Sequence, residues 1–260
     1  MPDELLVVVV SSGAAAVASV AGGVIALLHR TSTLITSLAF GFAAGALAGT
    51  VTLEMIPTAL DLGTLAIVVT CFAAGMIGLY AFDLVVHHGW IAGEHADQRR
   101  IVRRYQRRKS GSNVVVLAGG TSLEEIVEGL AIGVGAAIEP GLALVVALAI
   151  GIDNLSEGIS VGELIRDETP DRGRALPRVL AWTGTIGLAL FASSLVGWLL
   201  LRDIPDQVLS GLLAGGAGAM FYLTLSSLVP EGEAREYQRS ATLASGVSFA
   251  LILVLSALRA

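Results

Sequence analysis

The chain has 260 residues, a mean hydropathy of +0.77, 54% hydrophobic and only 15% charged side chains, which excludes an ordinary soluble domain and points to an integral membrane protein. The formal net charge of -6 says little by itself, because in a membrane protein the location of charge carries the information. One cysteine, Cys71, excludes an intrachain disulfide or a cysteine metal cluster, and nothing points to nucleic acid.

Long runs rich in Ala, Leu, Val and Gly predict helical spans, since barrel strands show alternation over about 10 residues instead. The expectation is an all-α integral membrane protein of eight transmembrane helices, one domain over residues 1–260. The first span runs from Leu5 to Leu28; acids at Asp3 and Glu4 stand where a signal peptide needs basic residues, so this stretch is expected to be retained. The second, Leu34 to Leu60, carries Glu54 about a turn before Pro57, where a carboxylate either lines a pathway or faces headgroups. The third, Thr64 to Val86, holds Cys71 as a packing residue. A cytoplasmic loop over 87–112 follows, with His87, His88 and His95 ahead of a basic run from Arg99 to Lys109. The basic half is a topology determinant; the histidines are either solvated or a regulatory metal site.

The fourth and fifth spans, Asn113 to Ile138 and Gly141 to Ile165, carry the chemistry. Glu124-Glu125-Ile126-Val127-Glu128-Gly129 and Asp153-Asn154-Leu155-Ser156-Glu157-Gly158 share one pattern: acid, three residues, Glu, Gly. At 3.6 residues per turn Glu124 stacks over Glu128 and Asp153 over Glu157, so each helix shows a column of carboxylates. An acid at a helix centre costs about 2.5 to 3.5 kcal/mol on insertion scales, so several together require a cation between them. No Lys or Arg falls between Gly111 and Ile165 to supply it. Gly129 with Gly133, and Gly158 with Gly162, have a spacing expected to let these two backbones approach and bring both columns to one ion.

Val179 to Leu201, Gln207 to Val229 and Ala241 to Leu258 complete the set. The seventh holds Ser226 and Ser227 before Pro230, as weak oxygen ligands or packing hydroxyls. With both termini outside, every Lys and Arg except Arg202 and Arg259 falls on an inward connection, which is the positive-inside bias.

On these motifs the chain resembles the ZIP (Zrt/Irt-like) family of divalent metal transporters, which carries a His-Asn-x-Pro-Glu-Gly type motif in its fourth and fifth spans. Asp153 to Gly158 resembles the fifth-span version with Asp for His and Ser for Pro, and Glu124 to Gly129 is similar to the fourth. Gly41 to Pro57, and Ala217 to Met220 with Leu228 to Pro230, are similar to the family's second and seventh spans. The resemblance implies a 3+2+3 helix arrangement, a multi-pass protein of a prokaryotic inner membrane, and a mid-membrane metal site. By position it implies Glu124, Glu125, Glu128, Asp153, Asn154 and Glu157 as metal ligands. Many members place an acid where Ser227 stands.

The function expected is a divalent metal permease rather than an enzyme, with Zn²⁺, Fe²⁺ or Mn²⁺ as cargo. An oxygen-only ligand set suits harder ions, while carboxylates also bind zinc. Two other readings stay open: a metal-binding or sensing protein that does not transport, and a carrier of another solute with the acids as a proton relay. The glycine-rich stretches serve a homodimer or internal packing alike.

Overall fold

The computed structural model describes residues 2–29, 32–86, 113–201, 203–233 and 236–259. The expected loop 87–112, with its three histidines, lies outside the described residues.

Every regular element among the described residues is helical. In chain order these are α1 (Pro2–Leu28), α2 (Thr33–Thr50) continuing through a π-helical turn (Val51–Met55) into α3 (Ile56–Leu62), and α4 (Leu65–Val86). Then come α5 (Asn113–Ile138), α6 (Pro140–Glu168), α7 (Arg172–Leu201), and α8 (Asp206–Leu223) continuing through a second π-helical turn (Thr224–Leu228) into α9 (Val229–Glu233). α10 (Gln238–Arg259) closes the described chain.

Six helical runs are long and apolar enough to cross a membrane: Leu5–Leu28, Thr33–Leu62, Pro140–Glu168, Arg172–Leu201, Asp206–Glu233 and Gln238–Leu258. Leu65–Ala81 is a shorter apolar stretch. α5 is 26 residues long and carries three glutamates within five positions. The outward faces agree with a lipid surround: Leu6, Val10, Val17, Leu188, Leu199, Leu200, Leu243, Val247 and Leu258 are exposed, an apolar surface that water would penalise. The chain is a multi-pass membrane protein.

Local signals account for the breaks. Glu139 alone joins α5 to α6; it is extended (φ -156°, ψ 129°), as a residue before proline prefers, and Pro140 opens the next helix. Its carbonyl accepts from the Leu142 and Ala143 amides, so the reversal leaves that group bonded. A one-residue link leaves α5 and α6 as neighbours.

Both π-helical turns end just ahead of a proline two residues on, Pro57 and Pro230. Pro57 has no N–H to give the Leu53 carbonyl, and in lipid an unmet carbonyl is costly. The Ser256 hydroxyl of α10 donates to it at 3.4 Å. Glu54 lies inside the first of these turns and is buried, so the headgroup-facing option does not hold.

The helices pair in two sets. α1 packs on α6 and α7, and α5 packs on α7 and α6; separately, α2 packs on α10 and α4 on α8. α2 also touches α6, and α8 touches α5, which joins the sets. The main core where they meet is built largely from small side chains such as Ala43, Ala46, Ala143 and Ala217 with Leu47, Met55, Ile132 and Ile150.

Candidate metal site

α5 and α6 hold all six expected ligand residues, and their environments differ. Glu125, Glu128, Asp153 and Asn154 are buried, at 1%, 3%, 3% and 0% exposure. Glu124 and Glu157 are half-buried. Within each acidic segment the packed face includes Glu125 and Asn154, the residues beside the leading acids.

The charged neighbours that the described residues give this group are carboxylates. Glu125 interacts with Glu157, Asp153 and Glu124; Glu128 interacts with Glu125, Asp153 and Glu124. Glu157 interacts with Asp153, Glu124 and Glu128, across the α5–α6 boundary. These side chains therefore lie near enough for their charges to interact across the two helices.

Asn154 ties that group to its surroundings. Its Nδ2 donates to the Ala15 carbonyl of α1 at 3.2 Å, and the amide also hydrogen-bonds the Glu125 carboxylate. With the N–H side engaged, Oδ1 is buried and has no hydrogen-bond partner among the described residues. Glu125 Oε2 and Asp153 Oδ1 are in the same condition. A buried polar atom left unmet costs about 1 to 3 kcal/mol, so three oxygens from two facing helices make a donor set that a hard or borderline cation satisfies.

The carboxylates are gathered without being closed into a shell. Among the described residues no three His, Cys, Asp or Glu side chains converge on one metal-sized point.

The glycines do something other than expected. Gly129 and Gly133 do not pack α5 on α6; a Cβ on Gly129 would run into Leu190 and Ser193, and one on Gly133 into Ser194 and Trp198, all on α7. Gly158 faces Ser19, and Gly162 faces Gly23 and Ala26, all on α1. Gly129 and Gly158 each follow a glutamate by one residue, about 100° around the helix, so acid and glycine face different partners. Helix α5 is thus clamped to α7 and α6 to α1, while the acidic sides remain for each other.

Sequence reasoning missed two supports. The Ala15 carbonyl is one, and the Ser193 hydroxyl, which donates to the Glu125 carbonyl at 3.3 Å, is the other. Neither lies beside an acid in its own helix: Asp3 and Glu4 open α1 far from Ala15, and α7 carries no acid. Ser226 and Ser227 are half-buried in the second π-helical turn.

No family model matches the chain. The protein named zinc transporter ZupT from Salmonella typhimurium (strain LT2) is 27% identical over 208 residues, covering 78% of this chain and 77% of the relative. ZupT from Salmonella typhi and from Salmonella enteritidis PT4 match to the same extent. The resemblance to the ZIP family is borne out. The relatives' name describes a transporter, not an enzyme.

Proposed function

We propose that the protein carries divalent metal, zinc foremost, across a bacterial inner membrane into the cytoplasm through a carboxylate site between α5 and α6. Glu124, Glu125, Glu128, Asp153, Asn154 and Glu157 are its ligands. The observation that carries this reading is the buried acidic group on two neighbouring helices, where Glu125 Oε2, Asp153 Oδ1 and Asn154 Oδ1 have no hydrogen-bond partner among the described residues. The relatives' name as zinc transporters supports zinc as first cargo. The oxygen donor set keeps Fe²⁺ and Mn²⁺ as further cargo.

The proposal includes eight spans, with α4 and α5 added to the six long apolar runs, and both termini outside. It also includes the 3+2+3 arrangement. In its favour, α1 pairs with α6 as α5 pairs with α7, and α2 pairs with α10 as α4 pairs with α8. The paired π-helical turns before Pro57 and Pro230 repeat the same device.

Transport then follows from packing. Backbone contact at Gly158 and Gly129 locks α6 to α1 and α5 to α7, so these four helices move as one body carrying the site. An ion entering from outside sheds water onto Glu128 and Glu157, neutralises the group, and leaves inward when that body shifts against α2, α4, α8 and α10.

Protons and metal compete for the same carboxylates. Uptake of ⁶⁵Zn²⁺ into proteoliposomes is therefore expected to show an apparent KM that rises as external pH falls from about 7.5 to 5.5, with saturating flux preserved. A KM flat across that range would remove direct carboxylate ligation. The cargo itself is read by metal flux and elemental analysis of purified protein exposed to Zn²⁺, Mn²⁺ and Fe²⁺ in turn. Metal binding without flux would make the chain a metal-binding protein instead.

A further inference from the structure

Beyond the acidic group, one cavity of about 370 Å³ opens at the opposite end of α6 from Pro140, lined by Leu27, Leu28, Arg166, Asp167, Pro170 and Arg172. Its walls come from the last turn of α1, the last turn of α6 and the link into α7. We infer that this cavity holds the phosphodiester headgroup of an anionic glycerophospholipid.

The charge arrangement is the first argument. Four arginines stand on this part of the chain, and three have visible work. Arg178 pairs with Glu168 at 3.1 Å, and Arg174 with Asp171 at 3.6 Å. Arg166 donates from Nη1 to the carbonyls of Ala26 and His29 at the end of α1, the latter at 2.9 Å. That is a side-chain cap on a helix C-terminus, where a cation is favoured. A guanidinium has five N–H donors, so Arg166 keeps others for a ligand. Arg172 enters no ion pair among the described residues, and it lines the cavity as the first residue of α7. A guanidinium fork matches phosphate oxygens two at a time.

The lining charges narrow the ligand. Arg166 and Arg172 suit an anionic phosphate group, and the Asp167 carboxylate beside them favours a singly charged phosphodiester over inorganic phosphate, which carries closer to two negative charges near neutral pH.

The apolar wall is the second argument. Leu27 is buried and Leu28 is 52% exposed at the end of a membrane-crossing helix, so acyl chain is available beside the same opening. A basic pocket between helix ends at a membrane boundary is a setting in which lipid headgroups bind. The site lies more than two turns beyond Glu157 and uses none of the proposed metal ligands, so it stands or falls separately from the transport reading.

The test uses the full chain in detergent, with native mass spectrometry counting retained phosphatidylglycerol against phosphatidylcholine. Arg172→Gln is the informative variant, because removing Arg166 would also uncap α1. Wild type is expected to hold one phosphatidylglycerol in preference to phosphatidylcholine. R172Q is expected to hold it about fivefold less tightly, the loss that one arginine near an anionic leaflet implies. Arg174→Gln, outside the cavity and already paired with Asp171, is expected to leave retention unchanged. Equal loss in R172Q and R174Q would overturn the site in favour of a diffuse basic surface. Displacement of the lipid by millimolar inorganic phosphate would assign the pocket to free phosphate and overturn the lipid.

Discussion

Glu128→Ala and Glu157→Ala each reduce metal uptake to background in proteoliposomes, while the purified variants are no less stable than wild type when metal is withheld. The two halves of this result have one cause. Glu128 is 3% exposed, and its charged neighbours among the described residues are Glu125, Asp153 and Glu124, so in the metal-free protein it is a liability. Removing it relieves desolvation and repulsion between acids, which offsets the packing that the shorter side chain gives up. A ligand that binds only the folded protein adds about 2.7 kcal/mol at a hundredfold excess over its Kd, and that increment disappears with the donor. Wild type is therefore expected to gain thermal stability on adding Zn²⁺, and both variants to gain little. Glu128→Gln keeps the shape and loses the charge, so it is expected to fail in transport like Glu128→Ala. Unimpaired uptake in either alanine variant would remove the proposed route. Unfolding of the variants without metal would mean that the carboxylates hold the helices together instead of waiting for an ion.

Much of this site was legible before any coordinates, because helical periodicity fixes which residues share a face of one helix. Glu124 and Glu128, Asp153 and Glu157 follow from spacing alone, and the repeat of the motif marks two helices of like role. The break expected between Ile138 and Gly141 falls at Glu139, which stays extended because a residue before proline avoids the helical region. Periodicity does not say which neighbour fills each face. The glycines were therefore assigned to the α5–α6 contact, the next helix in sequence, when Gly129 meets Leu190 and Gly158 meets Ser19. Ala15 and Ser193 were invisible for a related reason: a backbone carbonyl and a single hydroxyl gain their role from the helix they happen to touch. The π-helical turns lay between these extremes. Pro57 and Pro230 signal a disturbed helix, but the compensation at the Leu53 carbonyl depends on Ser256, some 200 residues away in the chain.

Gly158→Ala is expected to lower the thermal midpoint and cut metal flux by on the order of tenfold, although it adds one methyl group and touches no ligand. The methyl would run into the Ser19 carbonyl oxygen, with the Ser19 Cα 3.1 Å away. Those are backbone atoms of α1, so no rotamer change makes room and one helix must move. Overpacking of this kind costs about 1 to 3 kcal/mol. The same seam carries the Asn154 bond to the Ala15 carbonyl, one turn of α1 from Ser19. Pushing α6 away from α1 lengthens that bond, frees the amide to turn, and moves Asn154 Oδ1 and Asp153 off their places beside Glu125. Flux thus falls through displaced donors as well as through lost stability, and Zn²⁺ addition is expected to rescue less of the midpoint than in wild type. Gly184→Ala supplies the control, since a Cβ there meets nothing within 4 Å. Alanine exceeds glycine in helix propensity by about 1 kcal/mol, so that variant is expected to match or exceed wild type in both midpoint and flux. Equal midpoints for the two alanine variants would show that α1 and α6 are not held by backbone contact, and that the site helices move independently of their clamps.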